Sequence, residues 1–119
     1  MGHPTIYPTG VTVYNPEKCW NGFTIFQALE VGAVLMNMNG RENKVWKGVH
    51  GFPNKIFPGG YLMTSRGSRD GRYGVQDGLD LVQIDWDGNV VWKFDRNEYI
   101  EDPGIPGRWM ARSHHDYQR

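Results

Sequence analysis

The chain has 119 residues, with 13 basic and 13 acidic side chains, 16 glycines, seven prolines and 13% aromatic residues. A formal net charge of zero argues against a nucleic-acid partner and against a polybasic membrane anchor, since both need a basic excess. No apolar run approaches the roughly 20 residues that span a bilayer, and no signal peptide is visible, so periplasmic and cytoplasmic locations both stay open. Turn-rich, aromatic-rich composition points to an all-β protein.

Residues 1–22 form an extended arm interrupted by Pro4, Pro8 and Pro16. Two short β-rich pieces, residues 5–7 and 11–14, fit edge positions at most, because proline removes a ladder donor. Cys19 is the single cysteine, so no intrachain disulfide forms, and beside Trp20 it reads as a small buried hydrophobe.

Residues 23–28 (FTIFQA) read as a strand. Residues 33–38 and 44–47 form a hairpin around Asn39-Gly40, where both turn residues tolerate positive φ. Residues 50–65 (HGFPNKIFPGGYLMTS) hold a His-led loop, a Pro58-Gly59-Gly60 turn and a strand over 61–64. Residues 66–78 (RGSRDGRYGVQDG) read as a polar, glycine-rich loop, and 79–86 and 90–94 as a second hairpin around Asp87-Gly88. Residues 96–108 read as irregular, and the last segment, RWMARSHHDYQR, as a short strand. Helical periodicity appears nowhere over a usable window.

The two hairpins are copies. VLMNMNGRENKVWK (34–47) laid on LVQIDWDGNVVWK (81–93) matches Gly40 with Gly88, Trp46 with Trp92 and Lys47 with Lys93, allowing a two-residue difference in the turn. A repeat of this length predicts four-stranded blades of a β-propeller, about two of them in residues 23–119. A ring needs more blades. The pattern therefore expects a second polypeptide, or a C-terminal remainder, to complete it and to cover the open sheet edges.

Three histidines, His50, His114 and His115, fall in loops that follow the repeated hairpins. Imidazole serves as base or nucleophile near neutral pH. Arg108, Arg112, Asp116 and Arg119 crowd the His114-His115 pair. On an extended segment His114 and Asp116 would face one side and His115 and Tyr117 the other. That reading favours His115 as the pocket residue, with Asp116 or a backbone carbonyl orienting a neighbouring ring. Adjacent histidines splay apart on such a segment, so no metal is expected, and no cofactor. Asp85, Asp87 and Asn89 fit a hairpin turn better than a calcium loop. The bland reading is that each histidine is a hydrogen-bonded structural residue.

The run from Gln83 through Asp85-Trp86-Asp87-Gly88-Asn89 to Trp92, followed by His114-His115-Asp116, and the HGFPNKIFPGGYLM stretch together resemble the bacterial arylsulfotransferase family. The resemblance implies a propeller that moves a sulfuryl group from an aryl sulfate to a phenol without a nucleotide donor. A channel histidine would carry the group covalently. By resemblance, His115 or His114 and His50 are the catalytic candidates and Arg112 a candidate for holding a small aromatic substrate; Arg108, from the charged cluster around the histidine pair, joins Arg112 in that role. Two readings from other classes stand beside it: a non-catalytic binding or scaffold propeller, and a metal- or cofactor-dependent lyase or hydrolase on the same scaffold.

Overall fold

A computed structural model describes residues 11–74, 77–111 and 113–118. The fold is nearly all-β and its sheets are antiparallel. Strands β1 (Phe23–Ala28), β2 (Gly32–Asn37) and β3 (Glu42–Lys47) form one meander. Strands β4 (Lys55–Phe57), β5 (Tyr61–Thr64), β7 (Val82–Ile84) and β8 (Val90–Lys93) form a second, four-stranded one in the order β4-β5-β7-β8. The segment between β5 and β7 carries a single helical turn, α1 (Gly71–Gly74), and the two-residue β6 (Asp77–Gly78). A hairpin of β9 (Glu98–Asp102) and β10 (Ile105–Met110) follows, and β11 (Ser113–His114) pairs with β6.

Several expectations change. Residues 11–14 are not a strand, while residues 5–7 and His3 lie outside the described residues. Cys19 is exposed rather than buried. Residues 96–108 contain the β9–β10 hairpin instead of an irregular loop, because Pro103-Gly104 makes its turn and Gly104 takes φ 76°. Strand β7 stops at Ile84 instead of running to Trp86, since Asp85 already begins the turn.

The two hairpins turn alike, and not as Asn-Gly and Asp-Gly alone would have it. In the first, Gly40 N–H donates to Asn37 O (3.0 Å) and Asn37 N–H to Arg41 O (3.0 Å). In the second, Gly88 N–H donates to Asp85 O (3.1 Å) and Asp85 N–H to Asn89 O (2.9 Å). Only the glycine of each turn has positive φ, 74° and 92°, which is a four-residue turn closed by a glycine bulge. The first turn residue supports it from its side chain. Asn37 Oδ1 accepts from the amides of Asn39 and Arg41, and Asp85 Oδ1 from those of Asp87 and Asn89.

The cross-strand register sets the spacing of the copies. Met36 faces Glu42 and Leu35 faces Lys44, just as Ile84 faces Val90 and Gln83 faces Trp92. Asn37 and Asp85, Gly40 and Gly88, Lys44 and Trp92, and Trp46 and Phe94 are thus equivalent pairs, all 48 residues apart. The Trp46–Trp92 match is superseded: Trp92 occupies the place of Lys44, and no gap is needed.

The sheets stack through opposite faces. Ala33, Leu35 and Trp46 of the first meet Leu62, Val82 and Ile84 of the second, with Val49 and the half-buried Ile25 completing the core. Val82 and Ile84 are the equivalents of Val34 and Met36, which lie on the other face of β2 from Ala33 and Leu35. One copy's front packs on the next copy's back. Trp46 closes the seam: it is 3% exposed, its Nε1–H donates to Asp85 O (3.2 Å), and its ring stands edge-on to Trp86 at 5.3 Å. Trp46→Ala is expected to cost about 3–5 kcal/mol. Trp92→Ala, at a half-buried site, should cost clearly less, and urea unfolding of the two variants checks the contrast.

Candidate functional site

The site begins with a backbone turn. Pairing of β11 with β6 sets Ser113 opposite Gly78 and His114 opposite Asp77. Asp116 N–H then donates to His114 O (2.7 Å), closing a three-residue turn with His115 at its apex in left-handed backbone, φ 60°. Few residues other than glycine adopt that conformation. The turn removes the expected alternation. The two rings do not splay to opposite sides; their centroids are 4.1 Å apart at an interplanar angle of 78°.

His115, itself exposed, lines an open cleft of about 290 Å³ together with Ile25, Phe26, Phe52 and Pro53, with Gln27, Gly51 and Asn54 at its floor. Its ring meets Phe52 edge-on at 5.4 Å. The floor is tightly bonded. Gln27 Nε2 donates to Val49 O (3.0 Å), and Gln27 Oε1 accepts from Gly51 N–H (3.1 Å) and Asn54 Nδ2 (2.9 Å). Buried Thr64 donates its hydroxyl to Asn54 Oδ1 (2.7 Å). A Cβ on Gly51 would strike the Asn54 amide, so the loop closes only with glycine there.

His50 is anchored by its backbone N–H on Ser65 O (2.7 Å) and lines a neighbouring cleft with Glu30, Arg66 and the shared Gln27. The structure brings His114 and His115 together and sets His50 one cleft away, across Gln27.

Behind His114 runs a chain of charge. His114 Nδ1 bonds Asp77 Oδ1, and Asp77 Oδ2 accepts from Arg69 Nη1 (3.1 Å). Arg69 turns its other edge to Asp102 on β9, through Nε (2.9 Å) and Nη2. Arg108, half-buried on β10, lends positive potential to Asp70 and Asp102 rather than lining the His115 cleft. Arg112 lies outside the described residues. Burial alone would raise the Asp77 pKa, but the hydrogen bonds from Arg69 and His114 outweigh it and hold the carboxyl below its usual range. The Arg69 hydrogen bond does the same for Asp102.

Asp116 does not orient either imidazole. It pairs with Lys55 on β4 (2.6 Å), and the Lys55 ammonium also donates to Tyr117 O (2.5 Å). The Tyr117 hydroxyl reaches Pro53 O and Met63 O, and its burial pushes the phenol pKa up. Lys55 and Tyr117 thus strap residues 114–118 onto the second sheet.

Among the described residues no group of three His, Cys, Asp or Glu side chains is gathered as metal ligands. The Asp85 carboxylate is spent on Asn89 and the turn amides, which lower its pKa. Arg66 in the basic loop pairs with Asp80 (2.8 Å).

Sequence reading missed Asp77, Arg69 and Asp102 behind His114, and Phe26, Phe52, Gln27 and Asn54 around His115. A signal existed for part of this: Arg69 and Asp77 both sit in the polar loop 66–78, and Phe52 and Asn54 in the His-led loop. Nothing in the spacing announces that β6 and β11 pair. Comparison with protein-family models, with curated proteins and with solved structures finds no match to this chain.

The depressed carboxylates fix the sign of an acid effect. Each binds protons more weakly folded than unfolded, so its contribution is complete above the ordinary value of about 3.9 and is lost as pH falls through the lower folded value. The urea midpoint should therefore drop steeply on acidification below about pH 4. Asp77→Asn should start lower and fall less over the same interval.

Proposed function

We propose that this chain forms two propeller-type blades of an arylsulfotransferase-like enzyme, with the remaining blades on another polypeptide or on a C-terminal remainder. The blade reading is supported by the four-stranded β4-β5-β7-β8 meander and by the front-to-back stacking of copies 48 residues apart. Stacking of that kind leaves an unused face at each end, which suits further copies. The catalytic reading rests on one observation: an imidazole, His115, stands in an aromatic-walled cleft with a second imidazole against it.

Phe26 and Phe52 suit an aryl group. An unprotonated ring nitrogen of His115 attacks sulfur, and the bond from sulfur to the aryl oxygen breaks. The electron pair leaves with the phenolate, which takes a proton from the neighbouring imidazolium. The acceptor phenol then returns a proton to that imidazole and attacks sulfur, and the sulfur–nitrogen bond breaks. Cationic donors for the sulfonate oxygens would come from Arg112 and the completing blades, since Arg108 stands outside the His115 cleft. His50, beyond Gln27, would serve the acceptor side.

The test is incubation of the full chain, with any polypeptide that co-purifies, with an aryl sulfate. The expected result is phenol release and an acid-labile mass increase of one sulfuryl group mapping to His115, both lost in His115→Ala. No adduct and no phenol release would overturn the reading and leave a binding or scaffold module as the better account.

A further inference from the structure

The geometry points to Asp77 as the positioning residue for His114: its carboxylate accepts the Nδ1–H and so leaves Nε2 as the only ring atom of His114 free to take and return a proton. The proposal deepens the sulfuryl-transfer reading and rests on it for what the proton is exchanged with; the tautomer itself is a property of the free protein.

Three observations carry it. The first is register. β6 and β11 are two residues each, and their pairing puts Asp77 directly opposite His114, so the contact is set by backbone as well as by side chains. The second is restraint of the carboxylate. Asp77 cannot rotate freely to follow the ring, because its other oxygen is held by Arg69. Arg69 is itself fixed by a two-point grip on Asp102, where the planar guanidinium matches the carboxylate edge. Two strands and a loop that are remote in sequence thereby fix one oxygen atom. The third is the neighbour. His114 is half exposed, so burial does not hold its ring, and yet the ring stands against His115, the group in the aromatic cleft. An ionised carboxylate can only accept a hydrogen bond, so a neutral His114 bonded through Nδ1 must carry its proton there. Asp116, the nearest carboxylate in sequence, is taken by Lys55 and does not compete.

The test reads the tautomer directly. In the full chain labelled with ¹⁵N, long-range proton–nitrogen correlation spectra at a pH where the imidazoles are neutral should show His114 as the Nδ1–H form, the minor form of free histidine. Asp77→Asn presents an amide that can donate to Nδ1, and should invert the pattern to Nε2–H. Asp77→Ala should return His114 to the ordinary mixture. Asp102→Asn, which loosens Arg69 without touching the ring, should keep the Nδ1–H form. An Nε2–H form in the unmodified protein overturns the proposal, and that spectrum needs no variant to fold; an unchanged pattern in Asp77→Asn overturns it as well. Under the transferase reading, Asp77→Asn should also lower kcat by about 10²–10⁴-fold with KM little changed, the size of a general acid–base contribution. The expected tautomer without any His115 adduct would keep Asp77 in this role and discard the transferase; an adduct with the opposite tautomer would do the reverse.

Discussion

Burial of Trp46 makes one body of two small sheets. Each meander offers only three or four inward apolar residues to the shared core, so most of that burial is achieved between the sheets. The indole fills the gap between them, and its N–H is bonded to the carbonyl of Asp85, the residue that opens the second hairpin turn. Large apolar volume and a satisfied polar edge thus coincide in one side chain. Asp85 in turn has its own carboxylate committed to the turn amides, so the carbonyl that Trp46 needs is held in place. The seam and the repeated turn are mechanically the same feature.

The seam also sets what can lie above it. His50 and the loop with Phe52 and Asn54 leave β3 immediately after Trp46, and Gln27 of β1 pins that loop with bonds to Val49, Gly51 and Asn54. The opposite wall is brought by residues 111 and 113–118, which bond to Leu79, pair with Asp77 and are strapped by Lys55. The cleft with His115 therefore takes one wall from β1 of the first sheet, through Ile25, Phe26 and Gln27. Its other side is made where the first sheet's exit loop meets the chain's last described segment.

The legible parts of the fold were those encoded within about ten residues. FTIFQA, the two hairpins and YLMT were readable because alternation and turn glycines are local signals. The 48-residue spacing was readable only to within two residues. Trp46 and Trp92 look alike in letters, but both hairpins carry the same bulge, and the shared register sets Trp92 at the place of Lys44. The histidines were identifiable as a group, but the partner of His114 was not, since Asp77 is 37 residues away and reaches it through a two-residue pairing. The hairpin over 98–110 was hidden by two Pro-Gly pairs that read as breakers, although one of them makes its turn.

His115 holds a left-handed backbone that an L-residue adopts at a cost of roughly 1–2 kcal/mol. Glycine at this point would relax that strain, while asparagine, aspartate and histidine all tolerate it better than most, so the backbone favours glycine without excluding an imidazole. Selection for thermal robustness would drift away from histidine here, whereas selection for reactivity would hold it. Acceptance or rejection of glycine at this position would therefore separate the two pressures.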